Sequence, residues 1–414
     1  MAKKRSYFLY PWKMEDRKQY LNLPFPVSEY HRRVKAVKAK MVADKIDAAF
    51  MYGDTRQYGF IRWLTHFYAQ LGQSMAVQAM DGDPILLTTA SAHGEPMHSF
   101  IPETWVEEVR CGLFHNLPVD EDYPTLLSLC KDVIKEKKLT KGRIGVVGMN
   151  LLTYDLFSGL KEAFPGVKWI DWNRSYQEIR AVKNDLELEV ITRGAEAMDA
   201  AFEAAFRAAK PGVTELEVAG ALEYEARKKG IDAVNNLFDT RVCSGPRCAL
   251  KNANPTERKL QRGDAIYIDT SAQYKGYILD VSTSNCVDAE PNKDQAPLFE
   301  TAAQMTEAMI ANAKPGARAE GMVEIVRDVA EKNGQSKWFI DYICGHGIGA
   351  AQLEIPHFNT GSQDVLAENM TFSLEPMVVH PVHGTGCIER MCAVGKTGGR
   401  LLSKFPLRPW TVKW

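Results

Sequence analysis

The stretch YIDTSAQYKGYILD, residues 267–280, decides the fold because it describes a β-hairpin that carries two acidic residues. The apolar run 265–268 predicts a buried strand that ends at Asp269. Lys275-Gly276 predicts a turn, after which a second strand leads to Asp280. Two carboxylates on an apolar hairpin repel each other and lose solvation, so they are tolerated when a cation lies between them or when one is protonated. The alternative is that one aspartate caps a turn and the other is solvated.

The bulk properties of the chain limit its class of function. Its 414 residues predict two domains, and a hydrophobic content of 45% is ample for buried cores. The net charge of −1 indicates no field that would favour nucleic acid or an acidic membrane. No apolar run approaches the roughly 18 residues that a membrane span needs. No secretory segment follows the basic N-terminus, and eight scattered cysteines fit a reduced cytoplasmic protein better than a disulfide scaffold.

Strands that alternate with helices predict an α/β layer in the first part of the chain. A helix from residue 28 is indicated by apolar side chains at helical spacing, namely Tyr30, Val34, Val37 and Met41. The other predicted elements are strands over 46–52, 84–89, 143–147 and 167–170, and helices over 126–134 and 154–163. Because the composition changes near residue 174, we predict an α/β N-terminal domain over 1–175 and a second domain over 176–414.

The second domain contains a repeated unit. Lys210-Pro211-Gly212 follows one helix and leads into another, which is capped by Thr214 and runs to residue 230. Lys314-Pro315-Gly316, 104 residues later, leads in the same way into a helix that ends at residue 334. Each unit is followed by an aromatic-containing strand and a hairpin-rich stretch. We therefore predict two related α+β halves that face each other across a cleft.

Three further features of the second half supply the same kind of chemistry as the acidic hairpin. GHGIG, residues 345–349, places His346 between glycines that allow close approach of an ion. Glu375 follows an apolar run, and Glu389 follows a glycine-rich turn fourteen residues later. With the two aspartates they make four carboxylates and one imidazole. This donor set suits two divalent ions of Mn, Co, Fe or Zn, which can activate a shared water.

The order and spacing of these five residues resemble the methionine aminopeptidase, prolidase and creatinase superfamily, which has the pita-bread fold. The resemblance extends from about residue 185 to the C-terminus, and the N-terminal layout is similar to that of prolidases and creatinases. It implies an α+β pita-bread catalytic domain after a smaller α/β domain. It also implies five metal ligands at Asp269, Asp280, His346, Glu375 and Glu389. Creatinases themselves lack this metal set.

Within that resemblance, the residues take distinct roles. Asp280 and Glu389 would bridge two metal ions, Asp269 would complete one, and His346 with Glu375 would complete the other. Glu375 would also be the general base that takes the proton from the bridging water.

Two positions depart from the Xaa-Pro peptidases of the superfamily. Those enzymes have substrate-contacting histidines where this chain has Asn252 and Leu353. Asn252 can donate a hydrogen bond, whereas Leu353 cannot. His357 can replace a histidine spatially or be a solvated loop residue. We therefore predict a retained metal core with an altered peptide-binding shell.

The stretch 54–67 is rich in polar and aromatic residues. In prolidase-like dimers the corresponding region approaches the active site of the neighbouring subunit. By this resemblance we predict a homodimer in which Arg62, Trp63 and His66 contact the substrate, with Trp63 offering a cation–π surface. The alternative is that Trp63 and Phe67 pack in a core.

The leading hypothesis for function is a metal-dependent hydrolase that cleaves a C–N, amide-like bond of a small molecule and is not a general Xaa-Pro dipeptidase. A second hypothesis is a lyase on the same scaffold, because one branch of dimethylsulfoniopropionate lyases in the superfamily breaks a C–S bond by elimination. A third is a non-catalytic binding protein, since some pita-bread proteins have lost their metals. The five retained ligand types favour the enzyme hypotheses.

Overall fold

The computed structural model describes residues 21–69, 72–89, 104–112, 124–234, 240–251 and 253–414. The chain divides into two compact units, Met1–Ile179 and Arg180–Trp414. Among the described residues, no helix is both long and apolar enough to cross a membrane.

The first unit is an α/β layer built on one mixed sheet. Its strands are β1 (Ala48–Gly53), β2 (Ser74–Ala79), β3 (Ile85–Thr89), β4 (Glu108–Gly112), β5 (Arg143–Val147) and β6 (Lys168–Asp171). Its helices are α1 (Val27–Asp44), α2 (Gly59–Thr65), α3 (Leu126–Glu136), α4 (Tyr154–Ala163) and α5 (Asn173–Ala181). The strand order is β4-β3-β2-β1-β5-β6, with β1, β5 and β6 parallel and β2 antiparallel to both of its neighbours.

Hydrophobic periodicity accounts for this layer. The predicted stripe on α1 is buried at Tyr30, Val34, Val37 and Met41. The helix ends at Lys45, which adopts a left-handed conformation with φ of 57° and donates its N–H back to the last turn. Strands β1, β2 and β3 are buried along their whole length, as expected where both faces of a sheet are covered. The predicted strands and helices of this unit are confirmed to within a few residues at their ends.

In its described residues, the second unit contains two helix pairs and three sheets. The helices are α6 (Asp185–Ala208), α7 (Glu215–Lys228), α8 (Ala296–Asn312) and α9 (Ala319–Lys332). One sheet contains β7 (Ala233–Val234), β8 (Arg241–Ser244), β9 (Ala265–Tyr274) and β10 (Tyr277–Cys286). A second contains β11 (Phe339–Ile340), β15 (Met377–His380) and β16 (Gly384–Cys387). The third contains β12 (Gly345–Gly347), β13 (Glu354–His357), β14 (Thr371–Leu374), β17 (Arg390–Val394) and β18 (Gly399–Leu401).

The predicted duplication is confirmed in backbone detail. Helices α7 and α9 each contain 14 residues, and each follows a Lys-Pro-Gly turn. The turn glycines, Gly212 and Gly316, have φ of 90° and 84°, in the left-handed region that favours glycine. Their N–H groups donate to Leu260 and Leu366 at 2.9 Å and 2.8 Å. Each half therefore anchors its turn to an equivalent strand-like segment, a correspondence that adds to the predicted repeat.

The acidic hairpin is longer than the sequence indicated. Strands β9 and β10 have ten residues each and pair without interruption from Ala265–Cys286 to Tyr274–Tyr277. The turn is confirmed, because Lys275 and Gly276 both have positive φ, 47° and 88°, as a tight hairpin requires. The prediction that Asp269 ends its strand is wrong. Strand β9 continues through the polar residues beyond Asp269, because it pairs with β10 along its whole length and with β7 at Ala272 and Gln273.

Candidate metal centre

The hairpin presents its two aspartates on one face. Asp280 is opposite Ser271, and Asp269 is opposite Ser282. Because residues two apart on a strand point to the same side, Asp269 and Asp280 are diagonal neighbours on the same face of the sheet. Asp280 is 5% exposed and the side chain of Asp269 is 13% exposed. Both carboxylates are therefore largely removed from water.

The other three acidic or imidazole groups come from adjacent strands of the third sheet. His346 lies on β12, Glu375 follows the last residue of β14, and Glu389 precedes the first residue of β17. Strand β14 lies between the other two, so the three side chains enter one region. The N–H of Glu389 donates to the carbonyl of Ser282 at 2.9 Å, which ties this sheet to the acidic hairpin.

These elements bring a compact set of ligand atoms together. Atoms from Asp280, His346 and Glu389, all buried, lie within 4.8 Å of one another. The Nε2 atom of His346 is 3.4 Å from Oδ2 of Asp280 and 3.9 Å from Oε1 of Glu375. The Nδ1 atom of His346 is 3.1 Å from the carbonyl oxygen of Gly347. With the proton on Nδ1, that contact leaves the lone pair of Nε2 available to a cation that the carboxylates share.

Burial and neighbouring charges shift the pKa values of the groups in this cluster. Burial, followed by the charge of Asp280, raises the pKa of Asp269 to about 7. Burial and the neighbouring carboxylates also raise the pKa of Glu389 well above its usual value. Burial lowers the pKa of His346, but the hydrogen bond and charge of Asp280 outweigh it and raise that pKa to about 9. The carboxylates therefore hold a region of strongly negative potential.

The donor set fits a divalent metal. Buried carboxylates crowded around an imidazole are stable when they share a cation, and oxygen with one nitrogen suits Mn, Co, Fe or Zn. Asp280, His346 and Glu389 form the centre of this set, with Glu375 beside His346. Asp269 lies at the edge, where its Oδ2 accepts from the hydroxyl of Tyr267 at 3.0 Å and is 3.7 Å from Arg241.

A second layer of polar groups holds Asp280. Gln352, which is 4% exposed, donates from Nε2 to Oδ2 of Asp280 at 3.0 Å. Its Oε1 accepts from the hydroxyl of Ser271 at 3.3 Å. The hydroxyl of Ser373 donates to the backbone carbonyl of Asp280 at 2.8 Å. Both the side chain and the backbone of Asp280 are therefore oriented by buried hydrogen bonds.

A buried ion cluster supports the loop that carries Gln352. Glu354 is 1% exposed and lies 3.3 Å from both Arg180 and Lys183. It also accepts the N–H of Ala351 at 2.9 Å. These charges lower the pKa of Glu354, although its burial acts in the opposite direction. The loop after the GHGIG motif is thus tied to a fixed carboxylate.

The positions of the second unit that the sequence analysis related to substrate binding have varied surroundings. Leu353 is 51% exposed, and His357 faces Asp364, with Nδ1 at 3.3 Å from Oδ2. His357 therefore pairs with a carboxylate outside the cluster of Asp280, His346 and Glu389. Asn252 lies outside the described residues.

The three N-terminal candidates are buried in their own unit. Arg62, Trp63 and His66 are 6%, 3% and 7% exposed. Trp63 packs edge-to-face against Tyr176, with ring centroids 5.8 Å apart, and the guanidinium of Arg33 lies 5.0 Å from the centroid of the Trp63 ring. This packing agrees with the alternative that Trp63 is part of a core. Their role at a neighbouring subunit's site stays a prediction.

Sequence reasoning did not assign Lys251, Gln352 or Arg241 to the site. Lys251 and Gln352 stand immediately before the two noted departures, Asn252 and Leu353, so attention to neighbouring polar residues would have found them. Arg241 has no comparable signal, because its contact with Asp269 depends on the pairing of β8 with β9.

Comparisons with known proteins agree on one family. Residues 189–396 match the family model for metallopeptidase family M24, and residues 33–182 match the model for the creatinase/prolidase N-terminal domain. The Xaa-Pro dipeptidase of Pyrococcus furiosus is 30% identical over 261 residues, which cover 63% of this chain and 73% of that protein. The putative dipeptidase YkvY of Bacillus subtilis is 29% identical over 275 residues, or 66% of this chain and 75% of that protein.

Solved structures show the same fold. An X-Pro aminopeptidase from Thermotoga maritima superimposes with a TM-score of 0.78 at 24% identity, covering 91% of this chain and 98% of that chain. The prolidase from Pyrococcus horikoshii superimposes with a TM-score of 0.74 at 23% identity, covering 91% and 99%. The predicted two-part architecture, with a pita-bread domain after a creatinase/prolidase-type domain, is confirmed by these matches.

Proposed function

Because this chain belongs to metallopeptidase family M24 and is a metal-dependent hydrolase, we propose that it cleaves a C–N, amide-like bond of a small substrate. The observation that carries this proposal is the convergence of Asp280, His346 and Glu389, whose ligand atoms lie within 4.8 Å of one another. All three are buried, so the site can bind a cation in surroundings that exclude bulk water.

We assign five ligands to two divalent ions of Mn, Co, Fe or Zn. Asp269, Asp280, His346, Glu375 and Glu389 would hold these ions. Support for Asp280, His346 and Glu389 comes from the buried cluster that they form. Support for Glu375 comes from its 3.9 Å distance to His346. When bound, the ions supply Lewis acidity that lowers the pKa of a water and polarises the substrate carbonyl.

Residues of the chain would transfer the proton and keep the metal ligands oriented. Glu375 takes a proton from the attacking water and returns it to the leaving nitrogen, so that water is added across the C–N bond. His346 is oriented by Gly347, and Asp280 is oriented by Gln352 and Ser373. These contacts keep the ligand atoms in place without reorganisation during the reaction.

The substrate is proposed not to be an ordinary Xaa-Pro dipeptide. The exposed Leu353 cannot donate a hydrogen bond at the position where the peptidases have a histidine, and His357 is paired with Asp364. We therefore expect Gly-Pro and Ala-Pro to be hydrolysed far more slowly than by a dipeptidase. Turnover of either at ordinary enzymatic rates would contradict this.

The lyase alternative is separated from hydrolysis by the fate of water. Hydrolysis in ¹⁸O-labelled water places one labelled oxygen in the acid product, whereas elimination yields an alkene without label. For the base assignment, Glu375→Gln should abolish turnover while circular dichroism stays that of the wild type. Activity in that variant would refute the role of Glu375.

A homodimer and a cytoplasmic location also stay proposals, to be checked by light scattering and cell fractionation.

A further inference from the structure

Arg390 is a buried cation that the proposed metal site does not use, although it directly follows Glu389 in the chain. It is fully buried, and its guanidinium donates to backbone carbonyls of separate regions. Its Nη1 donates to the carbonyls of Ser282 and Glu389 at 3.3 Å and 2.6 Å. Its Nε and Nη2 donate to the carbonyls of Phe405 and Pro406 at 3.4 Å and 2.5 Å. Because burying a guanidinium is costly unless its donors are satisfied, these four carbonyls fix the position of the side chain.

Two of the four carbonyls belong to the proposed metal centre. Ser282 lies opposite Asp269 in the hairpin, and its carbonyl also accepts the N–H of Glu389 at 2.9 Å. Arg390 donates both to this carbonyl and to the carbonyl of Glu389 itself. The backbone of Glu389 is therefore held to the acidic hairpin on both sides of its Cα atom, by its own N–H and by Arg390.

The other two carbonyls belong to segment 403–414, which is bound to the first half of the duplicated domain through α6. Asp199 on this helix accepts the N–H of Lys404 at 2.6 Å. Phe405 is 4% exposed and packs against Phe202 of the same helix, with ring centroids 5.8 Å apart. The carbonyls that receive the Arg390 bonds are therefore held in place by α6.

The same segment is bound to the second half through α8. Arg408 donates to Glu300 at 2.9 Å and 2.7 Å, and to Glu307 at 2.6 Å and 3.2 Å. Paired bonds of this kind between guanidinium and carboxylate fix geometry as well as charge. Trp410 packs against Phe299 of α8, with ring centroids 5.5 Å apart. The segment therefore contacts both halves of the domain, and Arg390 links it to the metal centre.

We propose that Arg390 is a positioning residue that couples segment 403–414 to Glu389, so that docking of the segment and metal binding stabilise each other. This inference rests on the proposed function, because it takes Glu389 as a metal ligand. If the segment moves away, the buried guanidinium loses the carbonyls of Phe405 and Pro406 and is no longer held against Glu389. The planar fork of arginine can donate to both sides at once, whereas the compact ammonium of lysine cannot reproduce that pattern.

The readout follows from the reciprocity of coupled equilibria. If the docked segment favours metal binding, bound metal must favour the docked segment by the same factor. The N–H of Lys404 donates to Asp199, and the N–H of Phe405 donates to the hydroxyl of Ser403 at 3.2 Å. Such amides exchange with solvent when their hydrogen bonds open. Hydrogen exchange of these amides therefore reports on docking of the segment.

The test is hydrogen exchange of the full chain, measured by mass spectrometry with and without saturating Mn²⁺, together with calorimetric titration of Mn²⁺. In the wild type, manganese should slow exchange in segment 403–414 by about 10-fold, a typical size for coupling between two sites. Arg390→Lys keeps the charge but should remove this slowing and raise the Kd for Mn²⁺ by about 10-fold. Asp199→Ala, which releases the segment from α6, should speed its exchange and raise the Kd by a smaller factor. Lys404→Met, at an exposed ion pair with Glu196, is the matched control and should behave as the wild type.

The amides of β10 give an internal reference for these measurements. Slowing of the segment that is lost in Arg390→Lys, while manganese still slows exchange in β10, supports the proposal. Exchange of the segment that is indifferent to manganese in the wild type, or slowing that persists in Arg390→Lys, overturns it. If Arg390→Lys does not fold, Asp199→Ala decides, and an unchanged Kd for Mn²⁺ in that variant overturns the coupling. Failure of the proposed function is a separate result, in which the wild type itself binds no manganese.

Discussion

Replacing Gln352 with methionine should weaken metal binding while leaving the fold intact. Gln352 donates to Oδ2 of Asp280 at 3.0 Å and is 4% exposed. Methionine has similar length and volume and is tolerated in buried sites, but it cannot donate a hydrogen bond. Asp280 would keep its place in the strand and lose the contact that orients its carboxylate.

The expected magnitude follows from the type of bond that is lost. A buried hydrogen bond to a charged group contributes about 1.5–3 kcal/mol. Since about 1.4 kcal/mol corresponds to a tenfold change in an equilibrium constant, the Kd for Mn²⁺ should rise by about 10- to 100-fold. Loss of an outer-shell partner of a metal ligand typically has an effect of this size.

Calorimetric titration of metal-free protein with Mn²⁺ measures this Kd directly. Ser271→Ala should have a smaller effect in the same direction, because the hydroxyl of Ser271 donates to Oε1 of Gln352, one step removed from the carboxylate of Asp280. Gln363→Met is a control at an exposed glutamine and should leave the Kd unchanged. A Gln352→Met protein that binds Mn²⁺ as tightly as the wild type, with an unchanged circular dichroism spectrum, would refute the proposed orientation of Asp280.

Two further changes probe the same half of the molecule. Glu354→Gln leaves Arg180 and Lys183 buried without their carboxylate, so the free energy of unfolding measured in urea should fall by about 3–5 kcal/mol. As a control, Glu196→Gln at an exposed ion pair should lower it by less than about 1 kcal/mol. Folding lowers the pKa of Glu354 below its ordinary value of 4.5. The wild type therefore has this extra stability above about pH 4.5 and loses it as the pH falls through the lowered pKa. This pH dependence should be absent in Glu354→Gln. Asp280→Asn should reduce the bound metal measured by mass spectrometry, and an unchanged stoichiometry would exclude a bridging role for Asp280.

Local patterns in the sequence were sufficient for most of the architecture. The apolar stripe of α1, the capping residue Thr214 and the turn at Lys275-Gly276 each act through neighbours within a few positions, and each is confirmed. The repeated Lys-Pro-Gly units also predicted the two helix pairs of the second unit. The ends of the hairpin strands were not predictable, because the polar residues after Asp269 are held in β9 by pairing with β10 and, at Ala272 and Gln273, with the distant strand β7.

For the candidate site, the sequence predicted a set of five candidate ligands, and the tertiary structure determined their surroundings. The order and types of Asp269, Asp280, His346, Glu375 and Glu389 were sufficient to indicate metal chemistry, because few other arrangements tolerate so many carboxylates in apolar contexts. The residues that contact these candidate ligands could not be predicted in this way. Gln352 is 72 positions from Asp280, and Lys251 is 124 positions from Glu375. Contacts at such separations depend on how strands pair and loops are anchored, so only the folded chain could reveal them.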